Sequence, residues 1–403
     1  MENTLRVIHT SDWHIGHILH EKKRYDEFEQ FFVWLNEQIE KYKPDILLVS
    51  GDVFHTASPS PVAQTIYYNF LANAEKHGCK NVVVTGGNHD SPTLIDAPKE
   101  LLKQMNVYVC GAVTGDVSEE VFVIKNNDGK EIAIVCAVPY LREKDLRNAY
   151  VGETTEEKEK RLKEGFKNHY LQVAEKAKEL NKNNLPVIAM GHLFAAGAVT
   201  SSEDELQIGS LSQVGADIFP EYFDYVALGH LHIPQKINNN EHIRYSGSPL
   251  PISFDEVNNK KQILLLEFNN KDLNIKHLEV PKFKKIIRLK GTLQELLKEL
   301  EEQKNSDCPV WVDLTLTSGE PVQTINNAID ECIKDSNVEV LAKHPYIENS
   351  QALTIETKDF SKLTPLDVFN QILKTKKYDE EAEKELLETF SEALIHYKDE
   401  EEE

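Results

Sequence analysis

Five times in its first 232 residues the chain runs through a short apolar, β-branched stretch and stops at a segment built from Gly, Asp, Asn, Ser and His. Leu5–Thr10 ends in Ser11-Asp12-Trp13-His14, Ile46–Ser50 in Gly51-Asp52-Val53-Phe54-His55, and residues 82–85 in Gly86-Gly87-Asn88-His89-Asp90. Residues 187–190 lead to Gly191-His192, and residues 225–228 to Gly229-His230-Leu231-His232. Longer stretches of helical spacing separate the early ones. Over residues 26–42, Phe28, Phe31, Phe32, Leu35 and Ile39 fall on one face. Residues 61–77 and 156–180 also read as helices. Alternation of this kind builds a layered α/β sheet. Open α/β sheets collect their functional groups at the carboxyl ends of strands, which is where all five polar segments stand.

The residue types have a chemical logic. Carboxylate and imidazole together give mixed oxygen and nitrogen ligation, suited to manganese, iron or zinc. D-x-H and H-x-H on an extended segment turn both side chains to the same side. One aspartate can bridge two cations with its two oxygens, and Asp52 is the natural bridge. Glycines before the ligands let the backbone turn sharply and come close.

At 403 residues the chain is long for one domain and points to two or three. Further apolar stretches are expected as strands at 131–138, 243–246 and 263–268. Asn126-Asn127-Asp128-Gly129 marks a hairpin turn within 121–138. Near residue 280 the character changes. A basic strand over 282–291 opens a small α/β region, with helices at 292–303 and 324–334 and strands at 311–315 and 338–341. Residues 348–362 read as linker. Thr364-Pro365-Leu366-Asp367 then has the form of a helix start, and a second helix is expected over 381–397. The expected division is 1–280, 281–347 and 348–403.

No run of about 18 apolar residues is present, so no membrane span is expected. Residues 1–6 offer no apolar signal core. The five cysteines are odd in number and form no C-x-x-C pair, which suggests neither a disulfide framework nor a zinc ribbon. A reduced, cytoplasmic protein is the simplest reading. Formal net charge is -22, which argues against holding nucleic acid by bulk charge alone. Residues 379–403 carry 12 acids against 2 bases, almost half of that excess.

The order D-x-H, G-D, G-N-H-D, G-H, G-H-x-H resembles that of the calcineurin-like metallophosphoesterase superfamily. Thr10–Gly16 (TSDWHIG), Gly51–Phe54 (GDVF), Gly87–Pro92 (GNHDSP), Ala227–His232 (ALGHLH) and Tyr245–Pro249 (YSGSP) followed by Ser253–Glu256 (SFDE) are similar, more narrowly, to the SbcD nuclease family. The resemblance covers essentially the whole chain, with its specific motifs in the first 256 residues. It implies a β-sandwich flanked by helices, a small α/β capping domain and C-terminal helices that grip the coiled-coil base of an SbcC-type, SMC-like ATPase. It implies two divalent cations, manganese or alternatively magnesium. Asp12, His14, Asp52 and His232 would hold one, and Asp52, Asn88, His192 and His230 the other. Such a pair, about 3.5–4 Å apart, clamps a phosphodiester, activates water and offsets charge on the phosphorane. His89 would sit over the scissile phosphate as the catalytic histidine, stabilising that charge or protonating the leaving oxygen. Asp90 is read as orienting a neighbouring histidine.

The resemblance further implies a nuclease acting on the ends and hairpins of double-stranded DNA in repair, recombination and replication, as a homodimer with that ATPase. A phosphatase or cyclic-nucleotide phosphodiesterase using the same site is the alternative. A scaffold that kept the fold without chemistry is disfavoured, because all seven ligand positions are filled. One departure stands out: the position after G-D-V-F, usually Asp in the family, is His55. It is either a surface or supporting substitution, or an extra imidazole that tunes phosphate binding or metal choice. His17 is either a substrate contact or a solvated loop residue. Lys282, Lys284, Lys285, Arg288 and Lys290 either meet DNA phosphates or protect an edge strand. Ser246-Gly247-Ser248 either contacts phosphate or is a structural turn. With its acidic balance, the chain alone is expected to bind DNA weakly, the ATPase supplying the grip.

Overall fold

The computed structural model describes residues 4–148, 153–195, 198 and 214–346, and beyond these only Phe369, Leu386, Leu387, Thr389 and Phe390. The linker expected over 348–362 and most of the helices expected over 364–397 lie outside the described residues. Phe369 and Phe390 stack there with ring centres 3.9 Å apart.

Two six-stranded sheets face each other. The first contains β1 (Leu5–Thr10), β2 (Ile46–Ser50), β3 (Asn81–Thr85) and β4 (Val107–Cys110). The second contains β5 (Val121–Lys125), β6 (Glu131–Ala137), β7 (Val187–His192), β8 (Tyr225–Gly229), β9 (Gln235–Ile237) and β10 (Asn240–Tyr245). The late strands β11 (Gln262–Asn269) and β12 (Asp272–Glu279) return to the first sheet. The orders are β12-β11-β1-β2-β3-β4 and β9-β10-β8-β7-β6-β5. The centres are parallel: β1 with β2, β2 with β3, β6 with β7 and β7 with β8. Antiparallel β11 closes onto β1, with Leu5 opposite Phe268.

Both faces of the central strands are covered, so they read as unbroken apolar runs. Successive residues of β1 serve opposite faces: Val7 joins the core between the sheets, and Ile8 the core beneath the helices. That helical layer is α1 (Tyr25–Tyr42) and α2 (Pro61–His77). In α1, Phe28, Phe31, Phe32, Leu35 and Ile39 are buried and Lys43 closes the helix in the left-handed region. Each buried aromatic or leucine contributes roughly 1.5–3 kcal/mol by area. In α2, Ser60 caps the Ala63 amide, Pro61 occupies the first turn and Gly78 ends the helix at φ 115°. The second sheet is covered by α3 (Thr155–Leu180), opened by a Thr154–Glu157 capping box.

A third, three-stranded sheet follows: β13 (Lys285–Gly291), β14 (Val310–Leu316) and β15 (Val338–His344), all parallel, with α4 (Leu293–Gln303) and α5 (Val322–Ile333) on it. The basic strand β13 is an edge strand, but most of its charge is engaged within the protein. Lys284 pairs with Asp26 at 2.8 Å and lies over Trp311, Lys285 reaches Gln303, and Arg288 bonds Asp255 and Asp313. Lys282 and Lys290 remain exposed. Cys79, Cys110 and Cys136 are buried, free thiols. Among the described residues no helix is long and apolar enough to cross a membrane.

Candidate metal centre

The polar segments after β1, β2, β3, β7 and β8 converge at one end of the sandwich. Backbone bonds lace them together: Asp12 N to Gly51 O at 3.0 Å, His14 N to Asp52 O at 2.9 Å and Ile15 N to Val53 O at 2.9 Å. Side chains continue the lacing. Asp12 Oδ1 accepts from His230 N at 2.8 Å, and Asp52 Oδ1 from His89 N at 2.9 Å. Ser50 O lies 3.0 Å from His192 Nδ1, which turns Nε2 of that ring inward. The approach needs glycine. A Cβ on Gly51, whose φ is +78°, would run into the His192 ring, and one on Gly229 would run into the Ser50 carbonyl.

Four non-glycine residues here hold positive φ: Asp12 (51°), His14 (48°), Asp52 (49°) and His230 (104°). L-residues adopt this region at a cost of about 1–3 kcal/mol each, and such outliers gather at functional sites.

The convergent atoms fall into groups whose donors lie within 4.8 Å of one another: Asp12 with His14 and His232, and Asp52 with His192 and His230. Asn88 Oδ1 stands 3.0 Å from both His192 Nε2 and His230 Nδ1. Two carboxylates, an amide oxygen and four imidazoles are therefore aimed at a shared interior. Two observations fit cations there. Asp52 Oδ2 is buried and accepts no well-formed hydrogen bond, although His192 Nε2 lies 3.1 Å away. His14 Nε2 and His232 Nε2 face each other at 3.1 Å, lone-pair positions that a shared cation satisfies.

The buried carboxylates and imidazoles perturb one another. Burial pushes the Asp12 carboxyl up to about 6, against the pull of His192 and His232. Burial holds His14 well below the usual imidazole range and His230 down at about 3. For His192 burial is outweighed by the nearby Asp52 and Asp12 carboxylates, and its pKa rises to about 9. Asp52 stays well below the usual carboxylate range, because His192 and His14 outweigh its burial.

The remaining sequence candidates sit around this group. His89 is half-buried, with Nδ1 2.9 Å from the His55 carbonyl. His55 stacks on His89 with centres 5.5 Å apart and meets His14 edge-on at 5.4 Å. His14, His55 and His89 thus form a third, all-imidazole group. His17 is 4% exposed, against Arg24 and the His55 ring, so it is not a solvated loop residue. Among the described residues Asp90 bonds backbone amides rather than a histidine. Its carboxylate accepts from the backbone of Val53 (3.0 Å), Phe54 (2.9 Å) and Gly87 (2.9 Å), tying two site loops together. Ser246 bonds Ser11 at 2.7 Å, Ser248 bonds the Leu250 carbonyl, and Gly247 has φ 77°, so this segment is a buried structural turn.

Sequence reasoning assigned no role to Glu256 or Lys261. Glu256 Oε1 lies 3.1 Å from His232 Nδ1, and Lys261 Nζ binds its other oxygen at 2.5 Å. Burial alone would raise the Glu256 carboxyl, but Lys261 and His232 hold it far below its ordinary value. Only the presence of an acid in the SFDE segment hinted at this.

A sandwich of two mixed sheets with an Asp/His/Asn cluster at its strand ends defines a metal-dependent phosphoesterase. Comparison with known proteins agrees. Residues 5–234 match the calcineurin-like phosphoesterase family, and residues 282–377 match a family described as the type 5 capsule protein repressor C-terminal domain. The D subunit of nuclease SbcCD from Escherichia coli K12 is 34% identical over 397 residues, 97% of this chain and 98% of that protein. The proteins of the same name from Rhodobacter capsulatus and Bacillus subtilis are 32% and 29% identical, over 82% and 77% of this chain and 84% and 79% of theirs. The chain belongs to the calcineurin-like phosphoesterases, in the branch of the SbcD nuclease subunits.

Proposed function

We propose that this chain is the nuclease subunit of an SbcCD-type complex, hydrolysing phosphodiester bonds at double-stranded DNA ends and hairpins. The observation that carries the proposal is the pair of neighbouring donor groups, with Asp52 Oδ2 3.1 Å from His192 Nε2 of its own group and 3.7 Å from His14 Nε2 of the other, and His89 beside them. Asp12, His14, Asp52 and His232 would hold one divalent cation. Asp52, Asn88, His192 and His230 would hold the other, with Mn2+ favoured over Mg2+ by four imidazole donors. When bound, such a pair supplies an activated water and offsets phosphorane charge.

The chain's own residues do the rest. Asp52 sets the spacing of the two donor groups. With Nδ1 2.9 Å from the His55 carbonyl, the His89 ring stands beside the donor groups, there to steady negative charge or hand a proton to the leaving oxygen. His55, flat against His89, is placed to touch the same phosphate.

The reading extends to organisation. Residues 1–280 act as the nuclease domain, 281–347 as a cap and 348–403 as the segment that binds an SbcC-type ATPase, in cytoplasmic DNA repair, recombination and replication. A homodimer is part of it. The apolar face of Tyr68, Leu94, Leu101 and Met105 suits a second copy, since Leu101 is 69% exposed. The test is cleavage of duplex and hairpin oligonucleotides with Mn2+, against p-nitrophenyl phosphate as the phosphatase control. Expected are DNA cleavage by the native chain, faster with the ATPase subunit, and its loss in His89→Ala with metal binding retained. Turnover of the phosphomonoester without any DNA cleavage would favour the phosphatase reading and sink this one.

A further inference from the structure

Three consecutive residues, Phe254, Asp255 and Glu256, face three different ways. They form one 3-10 turn, closed by Ser253 Oγ accepting from Asp255 N. Phe254 is buried in a small apolar cluster with Leu19 and with Ile286 and Trp311 of the third sheet. Asp255 bonds Arg288 of β13 at 2.6 Å, and Arg288 in turn bonds Asp313 of β14 at 2.8 Å. Glu256 points the opposite way, into the phosphoesterase domain. It is fully buried, bonds His232 Nδ1 and is held by Lys261, itself 6% exposed. Lys261 also donates to the His232 carbonyl at 3.0 Å and to Ser248 Oγ at 2.8 Å.

We infer that Glu256 is a positioning residue for the metal centre and that the 253–256 turn couples it to the third-sheet domain. The inference rests on the proposal that His232 holds a cation. A carboxylate accepting from Nδ1–H fixes the imidazole tautomer that leaves Nε2 bare, and it fixes the ring plane. His232 Nε2 is the atom that faces His14. Lys261 clamps the carboxylate and the backbone of His232 together, so the ring cannot turn while Glu256 stays in place. A 3-10 turn of three residues has no slack between its side chains. A shift of the third-sheet domain that drags Phe254 and Asp255 therefore moves Glu256 and, through it, His232. The domain that leans on the turn thus sets how well one of the two cations is held, without touching either one.

The test is Mn2+ titration of the full chain, read by electron paramagnetic resonance and calorimetry, with thermal unfolding alongside. For the native chain two bound ions are expected; no binding at all would remove the underlying metal reading itself. Glu256→Gln is expected to weaken one of the two ions about 10- to 100-fold and leave the other unchanged. Should that variant fail to fold, Glu256→Gln/Lys261→Met removes both buried charges together and is expected to show the same one-ion loss. Arg288→Met, which touches no candidate ligand, is expected to weaken the same ion about two- to thirtyfold through the turn and to leave the second ion unchanged. Two ions of native affinity in the Glu256 variants would overturn the positioning role. Native affinity in Arg288→Met would overturn the coupling.

Discussion

Asp90→Asn isolates one carboxylate whose work is to hold two loops together. The substitution keeps size and shape. In the native chain Oδ2 accepts from Val53 N and Gly87 N, and Oδ1 from Phe54 N. An asparagine can keep its oxygen toward the first two, but its NH2 group then faces the Phe54 amide. A buried donor without an acceptor costs about 1–3 kcal/mol, and the two surviving bonds fall from charged to neutral strength, about 1 kcal/mol each. Against this, the native carboxylate is disfavoured by burial and then by the nearby Asp52 charge, which push its pKa up to about 6. Relief of that penalty offsets about half the loss, so the net effect is about 2 kcal/mol. For a domain of this size that is a fall of about 4–8 °C in melting temperature. Thermal unfolding by circular dichroism measures it, and Mn2+ calorimetry should show weaker binding, because the same loop carries Asp52. An unchanged or higher melting temperature with native metal affinity would falsify the idea that these three bonds organise the site.

Other consequences follow from the same geometry. Chelation should lower the melting temperature, and Mn2+ at about a hundred times its dissociation constant should restore about 2.7 kcal/mol per site; in Asp52→Asn, which removes the shared bridge, most of that response should vanish. His9 is fully buried, bonded to Tyr225 OH and the Leu228 carbonyl, and burial holds its pKa down at about 3. Above an unfolded value of about 6.5 both states are neutral and the contribution is complete; between there and about 3 only the unfolded chain takes the proton, so stability falls as pH drops. His9→Phe should flatten the stability–pH slope between about pH 6 and 4 by up to about 1.4 kcal/mol per unit, and an unaltered slope would contradict the assignment. Leu101→Glu should convert the proposed dimer to monomer in sedimentation equilibrium with the fold intact; a dimer that survives would place the interface elsewhere.

Much of the fold was legible because its central strands carry an uninterrupted apolar signal. Ile46–Ser50 and Asn81–Thr85 are buried throughout and could be nothing else. β12 escaped because it is an edge strand whose residues alternate into water, DLNIKHLE, and β4 because four residues give too little periodicity. The candidate ligands were legible for a different reason: each ends a strand, so the motif and the topology coincide. Glu256 was not, because its partner His232 lies 24 residues earlier in sequence and nothing local marks a buried acid as paired. The basic strand was legible only as charge. Charge is visible in a sequence, but the partners that absorb it, Asp26, Asp255 and Asp313, are not.

The left-handed backbone at Asp12, His14 and Asp52 has an evolutionary corollary. At these positions a side chain is held against a backbone that would be more comfortable without a Cβ, and at 12 and 52 its carboxylate also accepts from the His230 and His89 amides. Glycine is the one residue that relieves the strain at no steric cost. A descendant of this chain released from selection for activity should therefore drift at positions 12, 14 and 52 toward glycine or asparagine rather than alanine. Decay at this site should leave a recognisable residue, and that residue would separate a silenced copy from one that has merely changed substrate.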